Sequence, residues 1–184
     1  PWKGSVKFLG EDISGVPAHE VVRKGLSLVP EGRLLFGKLT VHENLTMGAF
    51  TRKDKAEIHD SLDMVYSLFP RVKERMHQKA NTLSGGEQQM VAIARASDID
   101  AKVLILDEPT SSLSSAEVEK LFQIMRKLRG EGMGIIFVTH FLDQVYEITD
   151  RITVLRNGKY VGTYLTKELP RVELVGKMIG KDYA

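Results

Sequence analysis

"LSGGEQQMVAIARA", residues 83–96, sets a serine, two glycines and a glutamate at the head of an apolar helical repeat. Ser84 and Glu87 have capping-box spacing: the serine hydroxyl accepts from the N–H three residues on, and the glutamate reaches back. Glycine inside a helix costs about 1 kcal/mol relative to alanine, so a pair in the first turn asks for a reason beyond helix formation. Glycines let a ligand approach the backbone closely. Free N–H groups, the positive end of the helix dipole and a hydroxyl then share one tip, which suits an anion. A plain serine-capped helix is the simpler reading of such a box, and the glycine pair argues against it.

Downstream, "KVLILDEPTSSLS" (102–114) begins with a continuous apolar run, as expected of a strand buried on both faces of a parallel sheet. It ends at Asp107 and Glu108, and Pro109 stops it. Ser114 and Glu117 form a second capping box. Val118, Leu121, Phe122, Met125 and Leu128 line one helical face, and Gly130 closes the helix. "GIIFVT" (134–139) is a second buried strand, followed by His140. Strand, helix, strand at this spacing is a βαβ crossover. Ligands of open α/β sheets sit beyond the carboxyl ends of the strands, so Asp107, Glu108 and His140 are expected at one edge. An aspartate there can hold Mg²⁺, and a glutamate can orient and deprotonate a water. Acidic strand ends are common alone; the imidazole in register makes this pair a candidate site.

Upstream, "GSVKFLGEDI" reads as a strand and turn, "PAHEVVRKG" as a short helix, and "LSLVP" as a strand stopped by Pro30. Residues 41–96 carry helical periods. "DKAE" (54–57) has cap spacing, Ile58, Leu62, Val65 and Phe69 follow at helical intervals, and Pro70 ends that helix. "RITVLRNGKYVGTY" (151–164) reads as a hairpin about Asn157–Gly158. The layout is an α/β core interrupted by a mostly helical insertion.

"GRLLFGKLT" (32–40) almost spells a phosphate-binding loop. Gly32, Gly37 and Lys38 fit, but Leu39 holds the hydroxyl position and cannot ligate Mg²⁺. "RLLF" puts bulky side chains where backbone amides would curl around phosphates. It reads as a decoy. A formal charge of +2 argues for neither nucleic acid nor an anionic surface, and the lack of cysteine excludes disulfides and thiolate sites. No apolar run approaches the roughly 20 residues of a membrane span.

"LSGGEQQMVAIARA", "KVLILDEPTSSLS" and "IIFVTH" resemble, in order and spacing, the signature, Walker B with D-loop, and H-loop of ABC-type ATPases. "VPEGRLLFGKLTVHENL" aligns with that family's Q-loop region. The resemblance implies a P-loop NTPase (RecA-like) α/β core with a mainly parallel sheet, interrupted by an ABC-type helical subdomain. The core would comprise residues 1–40 and 97–165, the helical subdomain 41–96 ending in the signature helix, and a helical tail 166–184. The N-terminal strand–P-loop–helix with its Walker A is expected before residue 1.

In such domains, two copies face each other and sandwich ATP. The resemblance implies that Ser84, Gly85, Gly86 and Glu87 contact nucleotide held by a second ABC ATPase domain, identical or not. Asp107 would support Mg²⁺, Glu108 would polarise the hydrolytic water, and His140 would contact the γ-phosphate. Glu31 stands where the Q-loop usually has Gln, and Ser114 where the D-loop usually ends in Asp. Residues up to about Gln89 resemble branched-chain amino-acid importer ATPases; "VTHFLDQVYEITDRITVLRNGKYVGTY" and "ELVGKMIG" resemble the ribose- and galactose-type importers. The implied function is ATP hydrolysis energising solute uptake with transmembrane permease subunits, at the cytoplasmic face of the cell membrane and without nucleic acid. Two other readings stand beside it: a soluble ABC ATPase without a permease, and a hydrolysis-incompetent piece that acts only as an interaction module.

Overall fold

The computed structural model describes residues 4–51, 53–97 and 101–180. Residues 98–100, at the join of the expected helical subdomain and core, and 181–184, at the end of the expected tail, lie outside them. The chain divides into two compact units, Pro1–Val138 and Thr139–Ala184.

The first unit opens with a small antiparallel hairpin, β1 (Lys7–Phe8) with β2 (Glu11–Asp12). Helix α1 (Ala18–Arg23) follows and leads into β3 (Leu26–Val29). Pro30 has no N–H to continue a ladder, so β3 ends there. The chain returns to the same sheet only at β4 (Val103–Asp107), and then at β5 (Gly134–Val138). Both pairings are parallel, in the order β3-β4-β5, with Leu28, Ile105 and Ile136 abreast. The parallel core expected from the sequence is therefore present.

One face of this sheet is well covered. Val29, Leu104 and Leu106 are buried, and so are Leu121, Phe122, Met125 and Leu128 of helix α6 (Ser115–Gly130). The Phe122 ring meets Phe137 edge-on, 6.1 Å between centroids. The opposite face departs from the expectation of two-sided burial: Leu28, Ile136 and Val138 are 55%, 51% and 45% exposed. An unbroken apolar run says that both faces favour apolar cover, not that the residues present supply it. A smaller difference closes α6. Gly130 is its last helical residue, and Gly132, at φ 94°, makes the left-handed turn.

The helical insertion lies between β3 and β4. It runs through α2 (Val41–Gly48), α3 (Lys55–Leu68), α4 (Pro70–Glu74) and α5 (Gly85–Ser97). Asp54 caps α3 by accepting from the N–H groups of Ala56 and Glu57. Pro70 ends α3 as expected, and it also starts α4, because a residue without an N–H is well placed at the first helical position. Val41, Leu45, Val65 and Ile93 are fully buried between these helices. A Cβ on Gly48 would sit 2.4 Å from the carbonyl oxygen of Arg95, so α2 and α5 approach as closely as they do only with glycine there.

The second unit is an antiparallel hairpin, β6 (Arg151–Arg156) and β7 (Lys159–Leu165), with α7 (Leu142–Ile148) and α8 (Arg171–Ile179). Asn157 and Gly158, at φ 50° and 71°, make the expected two-residue turn. Ile152, Val154, Leu169 and Leu174 form its core, against which Tyr146 and Tyr164 pack. The Tyr146 hydroxyl donates to the Leu169 carbonyl at 2.6 Å.

Candidate functional site

Strand β4 carries Asp107 to its carboxyl end, opposite Val138 of β5. Glu108 follows with its N–H donating to the Val138 carbonyl at 2.9 Å, and at φ 45° it turns the chain sharply out of the strand. A left-handed backbone costs a non-glycine residue on the order of 1–2 kcal/mol, and such positions cluster at functional sites. One of the Glu108 carboxylate oxygens, Oε2, is shielded from solvent. Because Val29 of β3 stands beside Leu106, Pro30 and Glu31 leave the sheet at this same edge. Glu31 thus follows the carboxyl end of β3, and Asp107 and Glu108 that of β4, at one edge of the parallel sheet.

The helix tip forms as the capping-box spacing predicts. The Ser84 N–H donates to Glu87 Oε2 at 3.0 Å, and the Glu87 N–H donates to Ser84 Oγ at 3.2 Å. Glu87 Oε1 also pairs with Arg75 at 3.3 Å, so this carboxylate holds the tip in place. Ser84 is exposed. Gly86 is buried, and a Cβ there would lie 1.9 Å from Oε1 of Glu117, itself fixed by the Ser114 cap of α6. The second glycine thus answers to internal packing, which the sequence alone did not reveal. The Ser114 N–H, its hydroxyl, and the charges of Lys120 and Arg33 hold the Glu117 carboxyl below its usual range. A groove of about 600 Å³ opens beside the tip, lined by Ser84, Gly86 and Glu87 and rimmed by Arg71, Arg75 and Lys120.

Within the first unit, then, the backbone brings Glu31, Asp107 and Glu108 to the carboxyl-end edge of the sheet, and separately builds the Ser84–Glu87 tip against the cap of α6. His140 falls in the second unit, two residues beyond the Val138 that pairs with Asp107; its ring packs on Phe141 with centroids 4.1 Å apart. Among the described residues no three His, Cys, Asp or Glu side chains cluster as an all-protein metal cage. No helix among them is long and apolar enough to cross a membrane.

Sequence reasoning missed Arg33. It sits in the decoy stretch, where only the structure reveals the left-handed backbone that turns it toward α5 (φ 67°, followed by Leu34 at 47°).

Residues 1–111 match the family described as "ABC transporter". The high-affinity branched-chain amino acid transport ATP-binding protein BraG of Pseudomonas aeruginosa is 44% identical over 158 residues, 86% of this chain and 67% of that protein. The galactofuranose transporter ATP-binding protein YtfR of Escherichia coli K12 is 43% identical over 187 residues, and the fructose import ATP-binding protein FruK of Bifidobacterium longum 46% over 164. The chain spans only 37% and 32% of those two proteins. The ADP conformation of MJ1267, an ATP-binding cassette of an ABC transporter, overlays on 97% of this chain and 78% of its own, with a TM-score of 0.81 at 22% identity, a likeness of fold. By the family match and the extent of its identity to these relatives, the chain belongs to the ATP-binding proteins of the ABC transporter family.

Proposed function

We propose that this chain is the ATP-hydrolysing part of an ABC importer, energising uptake of a small solute through a permease in the membrane. The observation that supports the reading is the placement of Glu31, Asp107 and Glu108 after the carboxyl ends of adjacent parallel strands, in one unit with a serine–glycine helix tip. ATP is the substrate. Glu108 would orient and deprotonate the attacking water, and His140 would contact the γ-phosphate. Ser84, Gly85 and Gly86 would receive the nucleotide of a second ABC ATPase domain, with N–H groups and a hydroxyl offered to anionic oxygens. Glu87 would keep that tip formed.

Asp107 is the residue that would hold Mg²⁺, with Glu31 beside it; a bound cation there neutralises charge on the phosphates. Hard carboxylate oxygens suit an ion that keeps several waters and takes phosphate oxygens. In this reading residues 1–40 and 97–165 form the nucleotide core, 41–96 the helical subdomain, and 166–184 a tail. The protein works at the cytoplasmic face of the membrane, without nucleic acid. Branched-chain amino acids and sugars are both candidate cargo, because relatives that import each stand at 43–46% identity.

The test is Glu108→Gln in the full-length protein assembled with its permease. The expected result is a fall in ATP turnover of about 10²-fold or more with nucleotide affinity retained, as for loss of a general base. Turnover within a fewfold of wild type would overturn the assignment.

A further inference from the structure

The geometry points to Arg33 as a positioning residue for the proposed nucleotide site: its guanidinium ties the loop that carries Glu31 to the tip of α5 and to the segment following Glu108. This rests on the reading of Ser84–Gly86 as nucleotide-facing. Arg33 Nη1 donates to Gln88 Oε1 at 3.2 Å, and Nη2 donates to Ser112 Oγ. The same guanidinium lies beside Gly85, 3.4 Å from where its Cβ would be, an ordinary contact distance that places the cation against the first turn of α5. One planar cation therefore meets the loop after β3, the first turns of α5, and the stretch between Glu108 and the Ser114 cap.

The loop holds Arg33 in this pose. Arg95, on α5, donates to the carbonyls of Leu34 at 3.1 Å and Arg33 at 3.4 Å, and its guanidinium lies over the Phe36 ring at 5.7 Å. The fully buried Asn44 fixes Phe36 from the other side, accepting from its N–H at 2.9 Å and donating to its carbonyl at 3.1 Å. Two successive left-handed residues are costly, and these bonds offset the cost.

The chemistry requires arginine. Its two terminal nitrogens reach separate acceptors in a fixed fork, which a single ammonium cannot do. A cation beside a helix N-terminus opposes the helix dipole. Here Gln88, Ser112 and the nearby charge of Glu117 offset that opposition, and an anion arriving at the tip would reverse it. Displacement of Glu31 would thus be felt at Gly85 through one side chain.

Two measurements on the full-length protein with its permease test this, using Arg33→Ala and Arg33→Lys. The first is amide exchange over residues 84–89. Arg33→Ala is expected to speed exchange there by about 10-fold while α3 is unchanged, a local opening. The second is steady-state ATP turnover. A kcat drop of about 10-fold or more with KM nearly constant is expected for a misplaced tip, partly recovered by Arg33→Lys. Unchanged exchange at 84–89, or a loss explained by a lower melting temperature alone, overturns the proposal. An inactive wild type would sink the ATPase reading, and the exchange experiment would still decide the role of Arg33.

Discussion

Thr40 and Glu43 cap helix α2 reciprocally: the Thr40 N–H donates to Glu43 Oε2 at 2.7 Å, and the Glu43 N–H donates to Thr40 Oγ1 at 3.1 Å. The hydroxyl that arrives one residue late for a phosphate-binding loop is therefore already engaged in starting a helix. Gly37, another residue of the near-match, packs against Asn81, its missing Cβ 3.2 Å from that side chain. Thr40→Ala should cost about 1 kcal/mol, the usual worth of such a cap. That corresponds to a melting-temperature drop of roughly 2–4 °C for a chain of this size, and Thr40→Ser should restore it. Leu39→Ser completes the phosphate-loop pattern on paper. It should add no nucleotide affinity in equilibrium binding; a gain of tenfold would mean the stretch is more than a decoy.

Gly86 and Glu117 make a second relationship that a mutant cycle can isolate. A methyl group on residue 86 would enter the space of a carboxylate that Ser114 holds in place. Overpacking of this kind costs about 1–3 kcal/mol, and urea midpoints should report it for Gly86→Ala. In a Glu117→Ala background the obstacle is gone. The same substitution should then be neutral or stabilising by up to about 1 kcal/mol, the ordinary gain of alanine over glycine in a helix. An equal cost in both backgrounds would show that the contact is not what demands glycine.

The legible parts of this protein were those written in local chemistry. Asn157–Gly158 announces its hairpin, Ser84–Glu87 and Ser114–Glu117 announce their caps, and the apolar strands on either side of α6 announce parallel pairing. Less legible were features decided by distant partners. Nothing near Gly86 in sequence names Glu117, and nothing near Arg33 names Gln88 or Ser112. The left-handed turn at Arg33 and Leu34 carries no glycine or asparagine signal at those positions. The decoy reading of 32–40 agrees with the fold, and Thr40 with Glu43 at cap spacing carries in sequence the signal of the helix start that the structure shows there.

Acid should weaken the caps before it touches the apolar core. Glu43 and Glu117 each sit below the usual carboxylate range, chiefly because a backbone N–H, of Thr40 and Ser114 respectively, donates to the charged form. A lowered folded-state pKa contributes stability that is present above the unfolded value, near 4.3, and lost as pH falls through the folded value. Denaturation midpoints should therefore decline as pH drops below about 5. Glu43→Gln with Glu117→Gln should flatten that decline while lowering stability at neutral pH. An unchanged slope would assign acid sensitivity to other carboxylates.

Asn44 is the buried polar group on which the approach to α2 depends. Its amide nitrogen donates to the carbonyls of Phe36 and Thr40, at 3.1 and 2.9 Å, and its oxygen accepts from the Phe36 N–H. Each such hydrogen bond contributes about 0.5–1.5 kcal/mol net, and removing the side chain forfeits all three. Asn44→Ala should therefore lower stability by a few kcal/mol, well beyond the Thr40 cap. Asn44→Asp keeps the size but replaces two donors with a charge facing two carbonyls, so it should be at least as damaging at neutral pH. Protonation supplies one donor back, so the gap between Asn44→Asp and wild type should narrow as pH falls toward 4. Calorimetry across pH measures this directly, and a gap that widens in acid would mean that Asn44 does not act through its donors.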